Sequence, residues 1–277
     1  MGISISPMTD MDYRLGSKLL GFEDVDAEFV KAFQNRENFY SVWNEKDLAG
    51  VLQVEEGDKA YLNVYINTPC RGRGIGDAAL NLGEQILRDT GADKIMTAYR
   101  LDHCASKSFA EKHGYTRCFS SVYMEYSGNS FEMPFLSIRE YTDDDYQSAH
   151  ELYARAFHKM RVRVGDFLDS VVEQPNDSMR EQWALTKKER LVYTQGSEII
   201  GYAHVVGNEI GSISIRPEYQ GQGFGRMFAK HIVNKALDRG YATVSLYCVV
   251  GNWAKRLYDS LGFRDTYTVE YAIKSVH

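Results

Sequence analysis

The feature that most limits what this chain can fold into is an internal repeat. Ser4-Ile5 and Thr9-Asp10-x-Asp12-Tyr13 recur as Ser137-Ile138 and Thr142-Asp143-x-Asp145-Tyr146, a displacement of 133 residues. Arg71-Gly72-Arg73-Gly74-Ile75-Gly76 recurs as Gln220-Gly221-Gln222-Gly223-Phe224-Gly225 after 149 residues, and Gly114-Tyr115 as Gly262-Phe263 after 148. Three landmarks in one order imply two copies of one supersecondary plan. A length of 277 residues agrees with two domains. The expected seam is residues 127–134, where Ser, Gly, Asn and Pro interrupt the strand patterns. The expected domains are therefore 1–130 and 135–277, the second enlarged by 16 residues between its first landmark and its glycine motif.

Each copy reads the same way. A short strand (residues 3–6; 136–139) leads to Thr9 or Thr142, a hydroxyl N-cap followed by carboxylates that suit the positive end of a helix. In the second copy Ala149, Leu152, Tyr153 and Phe157 follow at helical spacing. Strands are expected over 191–194, 199–206 and 210–215, separated by Gln195-Gly196-Ser197 and Gly207-Asn208, which makes an antiparallel meander. After the glycine motif come a helix over 227–237, a buried strand over 242–249 and a short helix over 252–261 closed by Gly262. The fold class is α/β, with a mixed, mainly antiparallel sheet flanked by helices in each domain.

Charge and cysteine usage narrow the function. Lys and Arg number 32 against 38 Asp and Glu, a net charge of −6 that argues against nucleic acid as the partner. Cys70, Cys104, Cys118 and Cys248 are scattered, without CxxC and without His at metal-ligand spacing. No metal site and no disulfide framework is expected, and a reducing cytoplasm fits. The N-terminal thirty residues hold no apolar core of a signal peptide, and the longest apolar stretch, residues 199–206, falls far short of a membrane span. Asn176-Asp177-Ser178 is a glycosylation triplet of a kind common by chance.

The glycine motif lies between a strand and a helix start. Such a turn aims several backbone N–H groups and the positive helix end at one point, which suits a phosphate or pyrophosphate. No Gly-Lys-Ser/Thr follows, and Arg226 stands where the dinucleotide fingerprint needs its third glycine. A different pyrophosphate is expected.

Gln220, Gly223 and Gly225, and again Arg71, Gly74 and Gly76, form a Q/R-x-x-G-x-G pattern that resembles the acyl-CoA signature of the GNAT superfamily of N-acetyltransferases. Pro217-Glu218-Tyr219-Gln220-Gly221 and Asn252-x-Ala254-x-x-Leu257-Tyr258-x-x-x-Gly262-Phe263 strengthen the likeness, which covers both copies. The resemblance implies two tandem GNAT domains that move an acetyl group from acetyl-CoA to a primary amine of a small molecule or peptide. It implies that coenzyme A is held by Ser214, Ile215, Gln220, Gly221, Gln222, Gly223, Phe224, Gly225, Arg226 and Asn252. In the first copy the matching positions are Arg71, Gly72, Arg73, Gly74, Ile75 and Gly76. The acyl group is expected in a splayed gap between the strand ending at Ile215 and the strand over 242–249.

Such a transfer needs a base for the amine, donors for the oxyanion and an acid for the leaving thiolate. Tyr258 stands where the family carries its acid, and a phenol of pKa near 10 can protonate a thiolate whose acid lies near 8.5. Its ring also suits packing with Ala254 and Leu261. Glu209 is a candidate base acting through water, or an ordinary charge at a turn; Asn252 can hold the pantetheine arm or cap the short helix. The oxyanion donor carried over from the family is a backbone N–H of Ser214 or Ile215.

The first copy has Ala110, Cys104 and Ala60 at the positions of Tyr258, Asn252 and Glu209, so it is expected to be non-catalytic or degenerate. The basic run from His158 to Arg163 can meet an anionic part of a substrate, the coenzyme phosphates, or solvent alone. The competing class of function is an acyl-CoA sensor or interaction protein without turnover. Tyr258 and the fuller second motif favour the enzyme.

Overall fold

The computed structural model describes residues 2–57, 60–164 and 175–276. In the first copy β1 (Ile3–Pro7) runs into α1 (Asp10–Leu19) through a capping box: Thr9 N–H donates to the Asp12 carboxylate at 2.8 Å while Asp12 N–H donates to the Thr9 hydroxyl at 3.3 Å. α2 (Ala27–Asn35) starts at Asp26, whose carboxylate accepts from Phe29 N–H at 2.8 Å. Then come β2 (Phe39–Asn44), β3 (Asp47–Glu55), β4 (Ala60–Ile66), α3 (Ile75–Asp89), β5 (Lys94–Arg100), α4 (Cys104–Lys112) and β6 (Thr116–Tyr126).

The second copy repeats the order. It runs β7 (Ile138–Glu140), α5 (Tyr146–Val164), α6 (Asp177–Leu185), β8 (Arg190–Gln195), β9 (Glu198–Val206), β10 (Glu209–Ile215), α7 (Phe224–Asp238), β11 (Val244–Val249), α8 (Ala254–Leu261) and β12 (Arg264–Ser275). Thr142 and Asp145 rebuild the capping box ahead of α5, and Arg139 adds two hydrogen bonds to Asp145 at 2.6 and 2.7 Å. Each copy thus has a second helix where the sequence pattern shows one. Asp26 and Asn176 provide its N-cap, and Asn176, the first residue of the Asn-Asp-Ser triplet, accepts from Met179 N–H at 2.8 Å.

Two compact units result, Met1–Phe119 with Val269–His277 and Ser120–Thr268. In the first unit β1, β2, β3 and β4 pair antiparallel in turn, β4 pairs parallel with β5, and β5 pairs antiparallel with the end of β12, from Val269↔Arg100 to Ser275↔Lys94. In the second, β7, β8, β9 and β10 form the antiparallel run, β10 lies parallel to β11, and β11 pairs antiparallel with β6, from Val244↔Tyr126 to Val249↔Ser121. The last strand of each unit therefore comes from the end of the other copy, and residues 127–134 lie inside the second unit. A seam read from Gly and Pro content could not register this, because the exchange depends on pairing and not on turn chemistry.

α3 and α7 cover one face of their sheets. Phe228, Ile232 and Val233 of α7 are at most 1% exposed, and each contributes roughly 1.5–3 kcal/mol on leaving water. On the opposite face Trp183 of α6 stacks on Tyr202 of β9 with ring centres 4.6 Å apart. These two layers hold β10 at fixed height between α7 and α5.

Candidate active site

The site of the second copy begins where β10 leaves the sheet. β10 and β11 pair only at Glu209↔Ser245 and Ile210↔Leu246, and beyond these two positions the parallel ladder stops. A β-bulge between Ile210 and Ser212 bends β10 at this point. The result is the splay expected between the strand ending at Ile215 and β11. Backbone groups of β10 facing it have no ladder partner, so an extended ligand could pair with them.

A 3-10 turn (Pro217–Tyr219) and the glycine loop follow. Gly221 and Gly223 have φ of +79° and +91°, a region L-residues seldom adopt, and no atom lies within 4 Å of where their Cβ would be. Gly223 caps α7 without any side-chain hydrogen bond, and the first turn carries no acid. The N–H groups of that turn are thus left to a ligand, at the positive end of a 15-residue helix. Gln220 fixes the loop by donating its amide to the Ile215 carbonyl at 2.9 Å, and Gln222 donates to the Glu218 carbonyl at 2.9 Å. Phe224 packs on Tyr193 and Tyr219, while Arg226 donates to the Ser260 hydroxyl at 2.7 Å.

A cleft of about 460 Å³ runs from this loop across the end of β10, and Ser214, Ile215, Gln220, Gly223, Gly225 and Arg226 line it. Asn252 and Tyr258 border the same cleft from the α8 side. Asn252 accepts from Ala254 N–H at 3.0 Å but stands one residue ahead of Trp253, the N-cap of the short helix, and it faces the cleft. Tyr258 is 5% exposed, and burial pushes its phenol well above 10, which leaves it protonated throughout the working range. Its ring packs against Phe263 at 5.6 Å, so the packing and cleft-facing readings hold together. Cys248 of β11, pushed up to about 12 by burial, is inert as a thiolate source. Glu209 stands at the closed end of the splay. Six residues of strand, about 20 Å at ~3.3 Å each, separate it from Ile215.

The first copy keeps the loop and changes its surroundings. Gly72 and Gly74 have φ of +72° and +75°, and Arg71 donates its Nε to the Ile66 carbonyl at 2.7 Å, as Gln220 does to Ile215. The rest of the Arg71 guanidinium is held by Asp24 through two hydrogen bonds, 2.6 and 2.8 Å. Where α7 has Arg226, α3 has Asp77, paired with Lys112 and with His113 at 2.9 Å. Arg73 and Ile75 complete the expected set, Arg73 exposed in the loop and Ile75 buried beneath it. β4 and β5 part after Ala60↔Ile95 and Tyr61↔Met96, but here Asn63 crosses the gap: its Oδ1 accepts from the Thr97 hydroxyl and from Ala98 N–H, both at 3.0 Å.

Tyr115 N–H bonds to the Ala110 carbonyl at 3.1 Å and Phe263 N–H to the Tyr258 carbonyl at 3.1 Å, which fixes Ala110 as the counterpart of Tyr258. Cys104 opens α4 and is exposed. The bulge in β10 offsets one equivalence: against the neighbouring hairpin Glu209 (opposite Val206) matches Tyr61 (opposite Glu55), whereas against the parallel strand it matches Ala60. Neither residue is a carboxylate. The cleft of this copy measures about 490 Å³ and is lined by Asp24, Asp26 and Asp77 against Arg71 and Lys112. That of the second copy is lined by Lys159, Arg163 and Arg226, with no acid among the described residues.

The sequence profile of the Acetyltransferase (GNAT) family matches residues 8–115 and again 146–263. A stretch of 55 residues is 40% identical to ribosomal protein bS18 alanine N-acetyltransferase of Escherichia coli, covering 20% of this chain and 37% of that enzyme. The chain thus spans little more than a third of that relative's length. Two solved structures share the fold along the whole chain. A GCN5-related N-acetyltransferase from Sphaerobacter thermophilus has a TM-score of 0.75 at 16% identity, with 99% of this chain and 95% of that one covered. A tandem GNAT protein from the clavulanic acid biosynthesis pathway has 0.72 at 14%, with 99% and 98% covered.

Proposed function

Because the chain belongs to the Acetyltransferase (GNAT) family through both of its copies, we propose that the second copy carries the catalysis and transfers an acetyl group from acetyl-CoA to a primary amine. The observation that carries this reading is the pairing of an unbridged splay with Tyr258 and an acid-free glycine loop, all on one cleft. The loop N–H groups and Arg226 face the coenzyme pyrophosphate, and the pantetheine arm lies along the unpaired edge of β10. A backbone N–H near Ser214 or Ile215 stabilises the developing oxyanion. The amine nitrogen bonds to the acyl carbon, the C–S bond breaks, the thiolate takes the Tyr258 proton, and Tyr258 takes the remaining proton of the nitrogen in the same relay, so that the phenol is restored. Glu209, the candidate base, stands about 20 Å along β10 from Ile215 and outside the residues that line the cleft, so the ammonium proton leaves through a chain of waters.

The first copy acts as a support without turnover, and only one of the two loops carries acetyl-CoA. Asp77 and the Asp24–Arg71 pair set carboxylates beside the place where phosphates would sit, and Asn63 occupies the acyl gap. The four cysteines are free, which supports the cytoplasm as the working compartment, and no helix among the described residues is long and apolar enough to cross a membrane.

The test is thiol release from acetyl-CoA with a panel of amines. Tyr258→Phe should lower kcat by about 10²- to 10⁴-fold with acetyl-CoA binding kept. Gly223→Glu should remove binding itself. Tight acetyl-CoA binding without turnover of any amine would replace the transferase reading by a sensor.

A further inference from the structure

The acceptor is the open part of that reading, and the course of α5 bears on it. α5 is fastened at two points. Arg155 pairs with Glu218, in the turn that follows β10. Eight residues on, about 12 Å of helix, Arg163 stacks on Trp253 with its guanidinium carbon 4.3 Å from the ring centre, and it donates to Asn252 Oδ1 at 3.3 Å. Val164 lies beside Gly251, in the turn that follows β11. Since β10 and β11 are the two strands that part, the helix between these anchors crosses the mouth of the splay. Phe157, Lys159, Met160 and Arg163 line the cleft from there.

Among the described residues that line the cleft, Lys159, Arg163 and Arg226 are cationic and none is acidic. Arg226 belongs to the first turn of α7, on the phosphate side. Lys159 and Arg163 belong to α5, the helix that crosses the mouth of the splay. The first copy reverses this charge. There the segment beside its cleft is tied by Asp24 to Arg71 and by the Val25 carbonyl to Arg100 at 3.4 Å, and it presents Asp24 and Asp26 to the cleft.

We propose that the acceptor is a small amine that also carries an anionic group, a carboxylate or a phosphate, and that Lys159 and Arg163 hold this group while the amine enters the splay. The proposal rests on the second copy being the transferase. A polyamine or an aminoglycoside would bring several positive charges against two cations with no carboxylate among the described cleft residues to offset them, whereas an anionic amine gains two charge-assisted contacts and keeps its nitrogen free. Trp253, 67% exposed beside Arg163, offers a ring face to the body of the molecule.

Initial rates of thiol release with matched acceptors test this: L-alanine against L-alaninamide for the carboxylate, glucosamine 6-phosphate against glucosamine for the phosphate, and spermidine as the polycation. The anionic member of at least one pair should have kcat/KM at least tenfold above its partner, with spermidine below both. Lys159→Ala should erase that ratio and leave the acetyl-CoA KM within twofold, and Arg163→Glu should erase the ratio as well, in proteins whose far-UV circular dichroism is unchanged. Preference for spermidine or the uncharged member would overturn the proposal. So would a rise in acetyl-CoA KM with the ratio intact, since the two cations would then serve the coenzyme. If no amine is turned over, the transferase reading fails by itself, and calorimetry of alanine and glucosamine 6-phosphate on coenzyme A-loaded protein decides the site. Binding lost in Arg163→Glu supports it, and no binding overturns it.

Discussion

Arg71 and Asp24 are joined by two hydrogen bonds of 2.6 and 2.8 Å, and this ties a guanidinium at the mouth of the first loop to a carboxylate 47 residues earlier. The Arg71 guanidinium also lies over the Tyr65 ring at 5.5 Å, and Tyr65 in turn accepts from Phe22 N–H at 3.0 Å. A coenzyme phosphate at this loop would have to break the pair or lie beside two carboxylates. Calorimetric titration should therefore give one equivalent of acetyl-CoA per chain, lost in Gly223→Glu and kept in Gly74→Glu. A second equivalent that disappears with Gly74→Glu would contradict the assignment.

Asn63 and Ser212 offer a direct exchange. Both stand three residues before the strand end and opposite matching positions of the neighbouring hairpin, Gln53 and His204. Asn63 reaches β5 with its carboxamide, and serine is too short for that bridge. Ser212→Asn should close the splay of the second copy and lower kcat by at least ~10²-fold, the scale on which misplaced reactants lose rate. Asn63→Ser should leave turnover as it is. Thiol-release kinetics on both variants, with circular dichroism to show that they fold, decide the matter.

Much of this was legible in the sequence, and what was not shares a cause. The glycine loops, the Gly262 cap and the meander strands of the second copy follow from residues close in the chain. β8, β9 and β10 extend the expected 191–194, 199–206 and 210–215 by no more than one residue at any end. The charge reversal from Asp77 to Arg226 was also present in the repeat itself, once the loops were set side by side. The Asn63 bridge, the course of α5 and the exchanged strands depend instead on residues tens to more than a hundred positions apart. No local period encodes such a partner, and a strand pattern looks the same whichever sheet receives it.

The exchange can be tested at Lys274. Its ammonium donates to both oxygens of the buried Glu84, each at 2.7 Å and 190 residues away, while the Tyr115 hydroxyl donates to the same carboxylate at 3.1 Å. This pins the end of β12 into the first unit beside the buried Val269 and Ala272. Lys274→Met leaves Glu84 with Tyr115 and Arg88 alone and should cost about 2–3 kcal/mol, the range for a partly buried charge that loses its partner. The urea midpoint should fall accordingly, and a chain ended before Val269 should lose more. An unchanged midpoint for Lys274→Met would show that the pair contributes nothing net.

Asp145 gives a prediction with a sign. Arg139 and the Thr142 backbone and hydroxyl hold its carboxylate below the ordinary carboxylate range, with the Arg139 hydrogen bonds the largest cause. A folded value below the unfolded one, about 3.9, means that the group binds fewer protons folded than unfolded. Its stabilisation is therefore complete above about pH 4 and is lost as pH falls through the folded value. Asp145→Asn removes the charge and half of the capping box, and should cost about 1–2 kcal/mol at pH 7. The difference between wild type and variant should shrink as pH falls below 4, because protonation takes from the wild type what the substitution has already taken from the variant. Thermal or urea unfolding of both proteins from pH 7 to pH 3 measures this, and a gap that stays constant across that range would exclude the ionised carboxylate as its source.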